Sequence, residues 1–163
     1  MRVILTLIFF WLANNALAAD FNVDLDASWD GIDVPAGQQC TLFGGNGATP
    51  PFYVTDLPAG TAVIHIEFND LSFAPLAKDG GHGIIGFAVS SSSVDLVSVP
   101  GLSAELPEGI FVVSAARSSG RYASDGYLPP CSGGRGNNYS ADIIALDANG
   151  VELGSVTVAI GRY

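Results

Sequence analysis

Phe21-Asn22-Val23-Asp24-Leu25-Asp26-Ala27-Ser28-Trp29 puts every apolar side chain on an odd position and every polar one on an even position. A two-residue alternation is the mark of a strand with one face in a core and the other in water. The spacing therefore predicts a strand over 21–29 with an acidic outer face. Ala62, Ile64, Ile66 and Phe68 alternate with Val63, His65 and Glu67 in a second strand, opened by the turn-like Leu57-Pro58-Ala59-Gly60. The apolar runs 84–89, 110–115 and 143–146 are too short for ordinary helices and are bounded by Gly, Pro or Ser, so they read as buried strands.

Near the end, Asp147-Ala148-Asn149-Gly150 signals a hairpin. An Asn-Gly pair accepts the positive φ of a type I′ turn, and the last strand then covers about 152–160. No stretch sustains a 3.6-residue apolar period and no segment repeats. The expected fold is an all-β antiparallel sandwich with Greek-key connections and little helix.

Composition agrees. The 163 residues are 48% hydrophobic and only 13% charged, with 20 Gly and 9 Pro, too apolar for disorder and too rich in glycine for a helical bundle. Six basic against 16 acidic residues give a net charge of −10, which argues against nucleic acid as a partner. With two His and two Cys, the chain cannot supply the four His or Cys ligands of a structural zinc site at the required spacing.

Residues 1–18 read as a secretory signal peptide, with Met1-Arg2 as the positive start, Val3 to Ala13 as the apolar run and Ala16-Leu17-Ala18 as the small-x-small site before Ala19. The alternative, a membrane anchor, needs about 20 apolar residues, more than this run holds. A single domain over 19–163 follows, secreted or periplasmic, with no stable membrane anchor. Its charge is −11, because Arg2 leaves with the signal. In an oxidising compartment Cys40 and Cys131 are expected to pair.

Two stretches interrupt the strands, 37–51 and 118–138, each holding one cysteine. Long loops in a compact domain are uncommon unless they are functional. In the first, Cys40-Thr41, Gly44-Gly45-Asn46 and Thr49-Pro50-Pro51 resemble the opening motif of the phosphatidylethanolamine-binding protein family, especially its exported bacterial branch. Leu57-Pro58-Ala59-Gly60-Thr61 resembles that family's V-P-A-G-T turn. Gly126-Tyr127, Pro130-Cys131, Gly134, Asn137-Asn138-Tyr139 and Ala145-Leu146-Asp147 follow its later motif in order.

The resemblance implies a pocket for a small anion, a phosphate or phospholipid headgroup, without a metal; no other cofactor is expected, and the scarcity of enzyme signatures points to a binding module rather than an enzyme. It places Asp70, His82, Pro129, Pro130, Asn137 and Tyr139 at that pocket, with Asp70 and His82 facing each other and Tyr139 and the Pro129-Pro130 turn on the rim, and Arg135 in the neighbouring glycine-rich segment is the nearest candidate cation. The chain departs from the family where Asn69-Asp70-Leu71-Ser72 lacks the Pro and second Asp of D-P-D-x-P, and where Asn137 stands for the second His. An amide donates a neutral hydrogen bond where imidazolium donates a charged one of about twice the strength. The family's helix near the C-terminus has no room between Leu146 and Val151. The competing reading is an interaction or inhibitor protein, with a protein partner, on a scaffold whose anion site has degenerated.

Read by themselves, the residues leave several roles open. Asp70 either caps a turn or orients His82 by holding its tautomer or its charge, and His65 reads as exposed. Ser132-Gly133-Gly134-Arg135-Gly136 is either a nest of backbone N–H groups or a flexible turn. Arg117, Arg121 and Arg135 form a basic island that is either solvated surface or part of a site. Asp24, Asp26 and Asp30 fit an acidic strand face better than a calcium loop, because Trp29 stands where an EF-hand needs Gly. There is no G-x-S-x-G elbow, Ser90 to Ser93 reads as a polar loop, and Asn138-Tyr139-Ser140 is a glycosylation sequon.

Overall fold

The structure, a computed structural model, describes residues 20–163; the signal segment 1–18 and the cleavage point at Ala19 lie outside the described residues. Eight strands form there: β1 Asn22–Leu25, β2 Phe52–Thr55, β3 Val63–Asp70, β4 Ile84–Ala88, β5 Val94–Leu96, β6 Ile110–Ser114, β7 Asn138–Leu146 and β8 Glu152–Arg162. Helical structure among the described residues is limited to single 3-10 turns at Thr41–Phe43, Ala74–Leu76 and Gly120–Tyr122. A three-stranded sheet of order β1-β2-β5 packs on a five-stranded sheet of order β6-β4-β3-β7-β8, all pairs antiparallel. This is the all-β sandwich expected from the alternation. Within the larger sheet, β7-β3-β4-β6 has the Greek-key order, in which a long connection returns the fourth strand beside the first. The link from β4 to β6 detours through β5 in the other sheet.

The inner faces follow the predicted parity. Ile64, Ile66 and Phe68 of β3 and Ala141, Ile143 and Ala145 of β7 are buried against Phe52 and Val54 of β2 and Leu96 of β5. The sequence pattern announces neither β2 nor β5, since strands of four and three residues are too short to show a period. The first strand is shorter than 21–29, because Asp26 Oδ1 accepts hydrogen bonds from both the backbone N–H and the hydroxyl of Ser28. Asp30 Oδ1 likewise accepts from the Ile32 and Asp33 N–H groups. Such Asx turns compete with the ladder, and they engage Asp26 and Asp30, two of the three carboxylates that invited a calcium reading.

The hairpin at 147–150 forms, but not as a type I′ turn. Gly150 alone takes a positive φ, at 80°, and its N–H donates to the Asp147 carbonyl. This is the longer hairpin class closed by a left-handed glycine, consistent with the bulge between Ala145 and Leu146.

Cys40 and Cys131 form a disulfide with a Cα–Cα distance of 5.2 Å. They sit with Ala116 and Leu128 in a second, smaller apolar cluster beside the main core. The Cys40 N–H also donates to the Pro130 carbonyl at 3.0 Å, so the two long loops are joined by a backbone bond as well as by sulfur.

The outer face of the larger sheet carries a conflict. Glu67 and Asp142 are direct cross-strand partners in β3 and β7. Asn69 Nδ2 at 2.9 Å and Thr157 Oγ1 at 2.6 Å donate to Asp142. The Glu67 pKa is raised, first by burial and then by Asp142.

Replacing Cys40 and Cys131 together by Ala should cost about 4 to 5 kcal/mol of unfolding free energy, the chain-entropy value for a loop of this size, read from urea denaturation. Glu67→Gln should stabilise the fold by about 0.5 kcal/mol at pH 7 by removing a like-charge pair. A raised carboxyl pKa means that the folded state holds the proton longer, so stability falls as pH rises through the window between the unfolded and folded values. Urea melts across pH should therefore show the advantage of the variant vanishing near pH 4, where wild-type Glu67 is itself mostly protonated.

Candidate functional site

At the end of β3 the alternation that buries Ile64, Ile66 and Phe68 carries one step further and turns Asp70 toward the core side. Asp70 is only 4% exposed. Beside it opens a cavity of about 460 Å³, lined by His82, Ser132, Arg135 and Asn137 and by Phe73, Leu76 and Tyr122. Arg117, Leu128 and Cys131 complete much of the wall, so one half of the disulfide borders the cavity.

His82 is held from three directions. Its backbone N–H donates to the Phe68 carbonyl, its own carbonyl accepts from Leu128 N–H, and the Leu128 carbonyl lies 2.7 Å from Nδ1. A carbonyl only accepts, so Nδ1 carries the hydrogen. Nε2 has no hydrogen-bond partner among the described residues, and no buried side-chain nitrogen is left unpartnered, so Nε2 reaches the cavity. The ring meets Tyr139 edge-on, with centroids 5.3 Å apart.

The flanking glycines allow this close fit. A Cβ on Gly81 would collide with the Leu76 backbone, and one on Gly83, whose φ is 108°, with the Gly126 carbonyl at 2.8 Å. Burial lowers the His82 pKa, opposed by the Leu128 hydrogen bond and the Asp70 charge. At neutral pH the ring is therefore neutral and offers a lone pair at Nε2. On protonation it keeps the Leu128 bond and gains a donor aimed at the cavity.

Asp70 takes the turn-capping role and does not bond to His82. Its Oδ1 accepts from Ser72 N–H at 3.0 Å and its Oδ2 from Asn137 Nδ2 at 2.7 Å. The Leu128 carbonyl fixes the His82 tautomer instead, and Asp70 acts on the ring only through its charge. Asn137, read from the sequence as a donor toward an anion, spends an amide hydrogen on Asp70. Its backbone pairs reciprocally with Tyr163, at 2.9 and 3.0 Å, which ties the 132–137 loop to the end of β8. The Ser132 hydroxyl donates to the Tyr163 carbonyl as well.

Tyr139, expected on the rim, is instead buried behind the wall. Its hydroxyl accepts from Cys131 N–H at 3.2 Å. The phenol pKa is pushed up to about 12 by burial and then by the Asp70 carboxylate. Pro129 and Pro130 are also buried and do not line the cavity, Pro129 lying close to Gly47 and Gly101. His65 is half-buried rather than exposed, and burial lowers its pKa.

The three arginines have different surroundings. Arg117 donates to the carbonyls of Asp79 and Lys78, both at 2.6 Å, and of Pro75 at 3.3 Å, clamping the loop that leads into His82. Arg121 lies over the Tyr122 ring, 5.0 Å from its centroid, and is not part of the cavity lining. Arg135 gives one donor to the Ser132 carbonyl at 2.9 Å, which leaves most of its guanidinium free at the wall. Gly133, Gly134 and Gly136 all adopt positive φ, so the loop needs their freedom to turn this tightly.

The cavity thus brings together Asp70, His82, Arg135 and Asn137, and adds Phe73, Leu76, Arg117, Tyr122 and Ser132. Arg117 is visible in the sequence as part of the basic island, whereas Phe73 and Leu76 stand between strands without any periodic context. Among the described residues, no three His, Cys, Asp or Glu side chains are grouped so as to hold a metal, and no helix is long and apolar enough to cross a membrane. No protein-family model matches the chain, and no curated protein does.

Proposed function

We propose that the protein is a binding module, not an enzyme, exported to an oxidising compartment, whose cavity holds a small anion such as a phosphate or a phospholipid headgroup on a scaffold like that of phosphatidylethanolamine-binding proteins. The observation that carries this reading is the cavity wall itself. In a chain of net charge −10, two arginines and an accessible imidazole nitrogen share one cavity with a single carboxylate. That carboxylate already accepts two hydrogen bonds from the protein, so it competes little for a ligand cation. Charge-assisted bonds from Arg135 and protonated His82 are the strong contacts available to an anion. The disulfide fits the export part of the reading.

The interaction-protein reading keeps one observation in its favour. Leu71 and Phe73, in the turn after β3, are 55% and 51% exposed, a larger apolar surface than a closed ligand site requires. Calorimetric titration with inorganic phosphate and phosphoethanolamine separates the two readings, and an absence of binding at any pH favours the docking protein.

Anion binding should strengthen as pH falls. Burial depresses the His82 pKa, so the added donor appears only below the ordinary histidine value of about 6.5. Phosphate should bind more tightly at pH 5 than at pH 8, and His82→Ala should remove the His82-linked part of that change. In Asn137→His the new imidazole would face Asp70, whose charge favours its protonated form. It should tighten phosphate binding by about 1 kcal/mol through a second charge-assisted hydrogen bond.

A further inference from the structure

The cavity is larger and less polar than an inorganic anion requires. At about 460 Å³ it lies within the range of sites that enclose an organic ligand of several rings or chains. Its charged or titratable groups come from several elements, Asp70 from the end of β3, His82 from just before β4, Arg117 from the segment after β6 and Arg135 from the loop before β7. Phe73 and Leu76, from the segment after β3, and Tyr122, from the turn after β6, give the lining its apolar surface. Phe73 lines the cavity while remaining 51% exposed, so an aromatic surface faces solvent with no protein group to cover it. Tyr122 is oriented by the Arg121 guanidinium, which lies 5.0 Å from its ring centroid and 3.0 Å from its hydroxyl.

Resting on the anion-binding reading, we propose that the ligand is an aromatic anion, an aryl phosphate or aryl carboxylate. Its charged group lies toward Arg135 and His82, and its ring lies against Phe73 and Tyr122. Aromatic pairs in offset or edge-to-face contact add attraction beyond their buried area. An apolar body also gains from covering Phe73, which the free protein leaves wet. A bare phosphate would leave that surface hydrated and gain none of this.

The test compares ligands matched in charge but not in body, phenyl phosphate with methyl phosphate and benzoate with acetate, by calorimetry on the purified protein at pH 5.5. The proposal expects the aryl member of at least one pair to bind tenfold or more tightly than its partner. It further expects Phe73→Ser and, separately, Tyr122→Leu to reduce that ratio to threefold or less. Phe73 is half-exposed, so its variant is not expected to lose the fold, and a thermal melt of each variant verifies this. Equal binding within each pair overturns the aromatic proposal and leaves the anion reading standing. Binding of none of the four overturns both. A tenfold preference that survives both substitutions also overturns the proposal, because the ring then lies elsewhere.

Discussion

The antiparallel ladder between β3 and β7 is the constraint from which both the core and the cavity derive. It runs in unbroken register from Val63 opposite Leu146 to Asp70 opposite Tyr139. Its parity decides the inner face, placing Ile64, Ile66 and Phe68 beside Ala145, Ile143 and Ala141. A slip of one residue would send every one of these side chains to solvent. The same parity makes Asp70 and Tyr139 the last inward pair, so the end of the ladder is polar where its middle is apolar. Asn137, just beyond the last pair, reaches back to Asp70. The outward row carries its own cost, since it sets Glu67 against Asp142. The register is therefore fixed by the inner apolar set and imposes that repulsion rather than avoiding it.

Legibility followed the length of each element. The alternation in 62–68 is plain, and the strand runs on through the turn-favouring Asn69 and Asp70 because the ladder to β7 pairs them with Ser140 and Tyr139. In 21–29 the same alternation overstates the strand, because periodicity does not register that Asp26 and Asp30 prefer local hydrogen bonds to their neighbours' N–H groups. At the last hairpin Asn149 precedes Gly150, and only the glycine takes the left-handed conformation. The dipeptide therefore located the turn but misassigned its type. The short strands β2 and β5 were invisible, since they are defined by what they pair with rather than by their own pattern.

The site was legible in part for a different reason. Asp70, His82, Arg135 and Asn137, four of the residues singled out in the sequence, line one cavity. Their hydrogen bonding was not legible, because a sequence does not show competition for donors. Asp70 faces several candidate partners and bonds to Ser72 and Asn137, leaving His82 to a backbone carbonyl. That carbonyl belongs to Leu128, three residues from Cys131 and packed in the cluster around the disulfide. The tautomer of His82 thus depends on a loop that the disulfide holds, although neither cysteine bonds to the ring.

Electrostatics then divides the labour among the arginines. Two cations on a cavity wall would ordinarily be counted as two ligands for an anion, but Arg117 directs its guanidinium at three carbonyls of the loop before His82. Those bonds orient it away from a purely ligand-binding role while leaving its charge in place. Its contribution is therefore a local potential, which acts over distance, and a fixed loop, which keeps His82 in position. Arg135 is the complementary case, with one donor committed and the rest free for directional contact. Because the whole chain is acidic, its long-range field opposes the approach of an anion. Screening over about 8 Å at physiological salt limits that opposition to the neighbourhood of the surface. For the proposed anion the nearby charges inside the cavity dominate, so its affinity is expected to depend on Arg135, Arg117 and the protonation of His82 rather than on net charge.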